Sequence, residues 1–196
     1  RKQIHNLATE HVHVWKVQMD IHKLLQFGEP LPKMPVIRPA APERFQPTDV
    51  SAWKAHLASE GFAVLAGVAA PHEVDTAYRL FWDFIERSDP DGGIRRTDVS
   101  TWQDGAKAGE GWPAGRSDGI IHTRGIGQSE VMWYLRGLPK LHKVFAGLWN
   151  TEDLVVSFDG AGTFRPYGHN REWKTSKRNW YHVDQAHKKR GLHCIQ

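Results

Sequence analysis

The sequence predicts an α+β fold, with helices in the front of the chain and strands after about residue 150. Apolar residues recur at helical spacing as far as Trp149, and short alternating or fully apolar segments follow it. Gly- and Pro-rich stretches separate the elements. At 40% apolar and 24% charged, the composition is that of a globular protein. Helices first and strands later are typical of an α+β architecture.

The helices are predicted from periodicity and from their end signals. Thr48 and Ser129 are candidate N-caps, Pro71 and Pro139 occupy first-turn positions, and Gly61 ends a helix. We expect helices at Thr9–Phe27, Asp49–Glu60, Pro71–Arg87, Ser129–Gly137 and Pro139–Trp149. Prolines crowd residues 29–47, so we divide the chain into an N-terminal helix with its connector, 1–47, and a main domain, 48–196.

The remaining segments are predicted as strands or as a long loop. Alternating or apolar runs predict strands at Phe62–Ala66, Leu154–Phe158, Asn179–Asp184 and Leu192–Gln196. Residues 88–128 are Gly-rich and polar without clear periodicity. A segment of this length is either disordered or a functional loop such as a lid over a site.

Composition narrows the class of protein. No run of 18 apolar residues occurs, so a membrane span is not expected. Cys194 stands alone, which fits a reducing compartment, and we expect a cytoplasmic protein. A net charge of +4 permits an acidic ligand. The basic run 187–190 is typical of a solvated loop. A nucleic-acid partner would rest on this run alone, so it is the least favoured partner.

The segment Trp180-Tyr181-His182-Val183-Asp184-Gln185 carries the clearest chemistry. Residues i and i+2 of a strand point to one side, so His182 and Asp184 would project together. An imidazole and a carboxylate supply two thirds of the 2-His-1-carboxylate triad that binds non-haem Fe(II). With twelve His in the chain such a pair also arises by chance, and an ordinary polar pair on a strand is the alternative.

Further motifs precede this segment in the chain. Gly61-Phe62-Ala63-Val64-Leu65 is followed by Gly67-Val68 and the Pro71 helix, then by a polar region, paired helices, the strand at 153–159 and the His182-x-Asp184 segment. This order resembles the phytanoyl-CoA dioxygenase family of Fe(II)/2-oxoglutarate oxygenases over about residues 55–196. The resemblance implies a partial double-stranded β-helix, a jelly-roll or cupin-like barrel with the metal at its mouth.

The resemblance also implies the site and the reaction. His182 and Asp184 would bind Fe(II), and 2-oxoglutarate would be the co-substrate of a dioxygenase that hydroxylates a small metabolite or lipid-like substrate. Ser157, Trp180 and Gln185 are the candidates for contacts with the co-substrate. Trp173 and Trp180 could stack on a ligand, although aromatic residues are more often buried in a core.

The sequence departs from the family at one point. The family's third iron ligand, a distal His, and the Arg that binds the far carboxylate of 2-oxoglutarate have no counterpart in this sequence. His187 and His193 follow His182 and Asp184 too closely to match the distal position. We therefore expect the N-terminal part of a longer enzyme, inactive by itself. The alternative is a non-catalytic jelly-roll domain that binds or scaffolds. The sequence does not indicate the oligomeric state.

Overall fold

The computed structural model describes residues 41–107, 109–176 and 184–195. Contacts divide them into two units: residues 41–67 with 184–195, and residues 68–176 apart from 108. Each unit is described by itself. The helix predicted at Thr9–Phe27 and most of its connector lie outside the described residues, as does the predicted strand at Asn179–Asp184 except for Asp184.

The first unit contains a small parallel sheet. Its elements are β1 (Arg44–Phe45), α1 (Val50–Glu60) and β2 (Val64–Leu65). Arg44 lies opposite Val64 and Phe45 opposite Leu65, and the Ala66 N–H donates to the Phe45 carbonyl at 2.8 Å. Because parallel strands need a crossover, α1 connects them. The predicted strand at Phe62–Ala66 is therefore present, but it is shorter and consists of Val64 and Leu65.

The ends of α1 follow local chemistry. Gly61 adopts the left-handed conformation at φ 80°, and its N–H donates to the Leu57 carbonyl at 2.9 Å, as predicted. Asp49, rather than the predicted Thr48, occupies the N-cap position, and its side chain makes no capping bond. Trp53 anchors the helix, because its ring is 2% exposed and its Nε1 donates to the Pro47 carbonyl at 3.3 Å.

The second unit is built on α2 (Pro71–Ser88). Pro71 begins the helix, and the Glu73 carboxylate accepts the Ala70 N–H at 2.7 Å, which satisfies one donor that the first turn leaves unpaired. The prediction of this helix is confirmed to within one residue at its end. Its buried face carries five apolar side chains: Ala77, Phe81, Trp82, Phe84 and Ile85.

Two shorter helices follow α2 in the chain. They are α3 (Glu130–Arg136), which contacts α2, and α4 (Pro139–Trp149). The Ser129 hydroxyl accepts the Met132 N–H at 3.5 Å, so the predicted N-cap is confirmed. Asn150 ends α4 in the left-handed conformation at φ 55°.

Residues 88–128 form part of the core, apart from residue 108, which is not described. The segment has little regular structure, yet it buries six apolar side chains: Ile94, Trp102, Trp112, Ala114, Ile121 and Ile126. Ring centroids of Trp102 lie 4.8 Å from Trp82 and 5.6 Å from Trp112. Tilted and stacked contacts of this kind add to the stability that burial provides. The described residues therefore favour an ordered segment over a disordered one.

Two polar side chains, the buried Asp89 and the half-buried Arg124, hold this segment to α2. The Asp89 carboxylate accepts N–H groups from Gly93 at 2.9 Å, Ile94 at 3.2 Å and Gly111 at 3.0 Å. The Arg124 guanidinium donates to the carbonyls of Ser88, Glu110 and Gly111 at 2.8, 3.1 and 2.9 Å. These bonds satisfy backbone groups that no helix or sheet pairs.

A second sheet, which is antiparallel, joins the 88–128 segment to the chain after α4. In β3 (Ile120–Ile121) and β4 (Ala161–Gly162), Ile120 faces Gly162 and Ile121 faces Ala161. A Cβ on Gly160 would lie 2.5 Å from the Ile121 carbonyl oxygen, so only glycine allows this approach. Within the described residues the two sheets do not close a barrel, and the jelly roll stays a prediction.

Two predicted strands are wrong in the described chain. Residues 154–158 form no strand and are largely exposed, with Val155 fully accessible. Residues 192–195 are also irregular. Periodicity does not distinguish an apolar run that is buried in a sheet from one that lies extended on the surface. A strand assignment depends on a pairing partner, which a local pattern does not supply.

An acidic pair on α2 leads to a pH-dependent prediction. Arg96 hydrogen-bonds Asp83 and Glu86, and these bonds hold the pKa values of both carboxyls below their usual 3.8 and 4.5. A depressed carboxyl pKa contributes stability above the unfolded-state pKa and loses it as pH falls through the folded-state value. We expect Arg96→Gln to lower stability at pH 7, with the deficit shrinking below about pH 4.

Urea unfolding of the Arg96→Gln variant from pH 7 to pH 3 measures this effect. Arg95→Gln is the matched control, because Arg95 forms an exposed pair with Asp98 at 3.1 Å that should contribute less than about 1 kcal/mol. A deficit in Arg96→Gln that stays constant with pH would contradict the prediction.

Candidate functional site

Of the two residues predicted to bind iron, only Asp184 lies within the described residues. His182 and Trp180 are outside the described residues, so their side chains are not placed. Asp184 is described: it is exposed and lies at a bend. The pairing of His182 with Asp184 on one metal ion therefore stays a prediction.

A closed loop follows Asp184. The Gln185 side-chain amide donates to the Gly191 carbonyl at 2.8 Å, and its oxygen accepts the His193 N–H at 2.8 Å. A ring nitrogen of His193 lies 2.8 Å from the Arg190 carbonyl. The Gln185 amide thus fixes the loop, and its contact with a co-substrate stays a prediction. The exclusion of His193 as the distal ligand stays a prediction.

Ser157 lies on the exposed segment after α4. It is not on a paired strand, because the strand predicted at Leu154–Phe158 does not form. Its carbonyl accepts a hydrogen bond from Arg136 at 3.1 Å, and the Arg136 guanidinium lies 5.2 Å from the ring centroids of both Trp133 and Phe158. Contact between the Ser157 hydroxyl and a co-substrate stays a prediction.

In the part of the chain that the structure describes, no three His, Cys, Asp or Glu side chains gather as metal ligands would. Asp184 is the one predicted ligand that can be located there. Among residues 41–107, 109–176 and 184–195, no helix combines the length and the apolar content needed to cross a bilayer.

The second unit contains a pocket that the sequence did not predict. It is a shallow depression with a volume of about 10 Å³, room for about one water molecule, and it is lined by Trp112, Trp173 and two arginines, Arg116 and Arg165. The turn at residues 114–119 forms one side, and residues 163–165 and 173–175 form the other. Trp173, which was considered as a ligand-stacking residue, is 5% exposed and packs in the core.

Arg165 is the central side chain of this pocket. It is 4% exposed and donates to the Trp102 carbonyl at 2.7 Å and to the Asp104 carboxylate at 2.9 Å. Its guanidinium lies 4.9 Å from the ring centroid of Trp173 and 5.5 Å from that of Trp112. Burial lowers the pKa of Arg165, and the Asp104 charge opposes this effect.

No local signal in the sequence marks this arrangement. Arg165 meets Trp102 and Asp104 across separations of 63 and 61 residues. The count of nine Trp was the single hint, because so much aromatic surface must be buried or used.

Comparison with known proteins gives one distant relative. The Ava biosynthesis cluster protein O of Aspergillus versicolor is 24% identical over 144 residues, which are 74% of this chain and 43% of the relative. The chain thus spans less than half the length of that protein. No family model matches the sequence, and no solved structure matches it significantly. The family is therefore not established by comparison.

Proposed function

We propose that this chain is part of an Fe(II)/2-oxoglutarate-dependent dioxygenase, a hydroxylase of a small metabolite or lipid-like molecule. The observation that carries the proposal is the His182-x-Asp184 pair within the ordered motifs of residues 61–185. The relative from Aspergillus versicolor is named as a biosynthesis cluster protein, which suits an enzyme that modifies a small molecule. The activity belongs to the complete polypeptide that carries these residues.

The donor set fits Fe(II). A neutral imidazole and a carboxylate are suitable ligands for Fe(II), and two donors alone leave the remaining positions for other ligands. Asp184 is exposed and lies at a bend. The loop after it is fixed by Gln185, which would limit the movement of the adjacent ligand.

The division of roles follows from this assignment. Bound iron would supply the oxidising chemistry, with 2-oxoglutarate and oxygen as co-substrates. His182 and Asp184 would hold the metal. Trp180, Ser157 and Gln185 remain the candidates for positioning 2-oxoglutarate.

Metal binding can be tested without turnover. The complete polypeptide with Fe(II) and 2-oxoglutarate, kept free of oxygen, should show a visible charge-transfer band that is absent without either component. His182→Ala should lose this band. His187→Ala is the matched control, because His187 is exposed in the following loop and should not affect the band. An unchanged band in His182→Ala would refute the ligand assignment.

A second candidate is a non-catalytic domain that binds or scaffolds a partner. Exposed apolar side chains of the second unit favour it: Trp133, Val155, Val156 and Phe158. Contiguous exposed apolar surface is typical of interaction sites. An iron-dependent release of succinate from 2-oxoglutarate distinguishes the two candidates, since only the enzyme catalyses it.

A further inference from the structure

Four Asp–Gly pairs occur in the sequence, and the fold treats one of them differently from the others. The pairs are Asp91–Gly92, Asp104–Gly105, Asp118–Gly119 and Asp159–Gly160. An aspartyl carboxyl group can react with the backbone nitrogen of the next residue, and glycine hinders this approach least because it has no Cβ. Whether a pair reacts depends on where the fold holds the two groups.

In two of the pairs the glycine nitrogen is engaged with a carbonyl. The Gly92 N–H donates to the Asp89 carbonyl at 3.0 Å, and the Gly119 N–H donates to the Gly115 carbonyl at 2.8 Å. Each nitrogen must first give up this bond before it can approach the neighbouring carboxyl group. Both pairs are therefore protected by the turns in which they lie.

In a third pair the carboxylate is engaged instead. Asp104 forms ion pairs with Arg165 at 2.9 Å and with Arg116 at 2.7 Å, so both of its side-chain oxygens are bound to guanidinium groups. These charge-assisted bonds favour the ionised carboxylate and fix its direction. Reaction with the Gly105 nitrogen would require both ion pairs to open.

The fourth pair has its two reacting groups in contact with each other. The Asp159 Oδ1 accepts the N–H of Gly160 at 2.6 Å. The side-chain carbon Cγ, which the nitrogen must attack, is bonded directly to that oxygen. Asp159 is exposed, so water can reach the group. The arrangement that the fold prevents at the other three pairs is thus already present at this one.

We propose that Asp159 and Gly160 form a site of spontaneous isomerisation to isoaspartate through a succinimide. The Gly160 nitrogen bonds to Asp159 Cγ, and the amide proton leaves with the carboxyl OH as water. Water then adds to the main-chain carbonyl carbon of Asp159 and breaks its bond to the Gly160 nitrogen, so the chain continues through the former side chain. Addition of water at the other carbonyl restores aspartate. Water is the only co-reactant, and the inference does not depend on the oxygenase proposal.

The position of this pair gives the modification a structural effect. On one side Arg136 donates to the Ser157 carbonyl at 3.1 Å, and on the other β4 begins at Ala161, which lies opposite Ile121. Isoaspartate inserts one additional backbone carbon between these two anchored points. The pairing of β3 with β4 cannot keep its present register without a shift of the chain, so the isomerised protein should have a lower melting temperature.

Storage of the purified chain at neutral pH and physiological temperature tests the proposal. Peptide mapping with mass spectrometry separates aspartate, isoaspartate and the succinimide, which is lighter by one water, at each of the four pairs. We expect conversion at Asp159 to be at least about tenfold faster than at the other three, because its reacting groups are held together. In urea this geometry is lost, and the four rates should converge, since glycine follows every one of these aspartates.

Two variants complete the experiment. Asp159→Glu should remove conversion at this position, because the longer side chain would have to close a larger ring. Asp91→Glu is the matched control at another exposed Asp–Gly pair, and it should leave the rate at Asp159 unchanged. A rate at Asp159 in the folded chain that is no higher than at the other pairs would overturn the proposal. An equal preference for Asp159 in urea would also overturn it, because neighbouring sequence rather than the fold would then be the cause.

Discussion

His182→Ala and Asp184→Ala should each abolish the release of succinate from 2-oxoglutarate by the complete polypeptide. Changes to residues that merely orient metal ligands reduce affinity or activity 10- to 100-fold, so loss of a ligand itself should cost about 100-fold or more. The reason is direct: each side chain would supply one of three protein donors to the ion. Succinate release with and without added Fe(II) measures the effect. Slow succinate release in the absence of the substrate to be hydroxylated is sufficient for this measurement.

Asp153→Asn and His187→Ala are the matched controls for this experiment. Both side chains are exposed and lie outside the predicted ligand pair, so both variants should keep full activity. Full succinate release by His182→Ala would contradict the ligand assignment. An absence of iron-dependent release from the unmodified polypeptide would instead favour the non-catalytic alternative.

Asp89→Ala should lower the free energy of unfolding by about 3 kcal/mol, the largest stability effect that we expect. The Asp89 carboxylate is buried and accepts three backbone N–H groups, two from residues just after α2 and one from Gly111. Removing an acceptor for a buried donor costs about 1–3 kcal/mol, more when a charge is involved, and the three losses occur together. Urea unfolding measures the change.

Asp91→Ala is the control for this prediction. Asp91 lies two residues away and is exposed, so its removal should change stability by no more than about 0.5 kcal/mol. Asp89→Asn should fall between the two, since it retains one side-chain oxygen but loses the other acceptor. Equal effects of Asp89→Ala and Asp91→Ala would show that the carboxylate does not hold the segment.

Local signals predicted the four described α-helices well. Each signal acts within one turn of a helix end, so a short stretch of sequence contains the whole cause. Helices begin at Pro71, Ser129 and Pro139, and one ends at Gly61. The burial of residues 88–128 could not be predicted in this way. It depends on indole contacts and on the bonds of Asp89 and Arg124, which join residues far apart in the chain.

The same distinction explains the errors and omissions in the predicted site. Leu154–Phe158 has the composition of a buried strand, but its structure depends on a neighbour that the sequence does not identify. The Arg165 pocket is made of side chains that are unremarkable one by one and that meet only after folding. The His182-x-Asp184 pair could be found because its members are two residues apart.

The connections of Asp89 and Arg124 have a consequence for the order of folding. Asp89 reaches Gly111 across 22 residues, Arg124 reaches Ser88 across 36, and Arg165 reaches Trp102 across 63. Ordering such distant partners costs chain entropy before any contact offsets it. High contact order slows folding, so we infer that the helices form first and that closure of the 88–128 segment on them limits the rate.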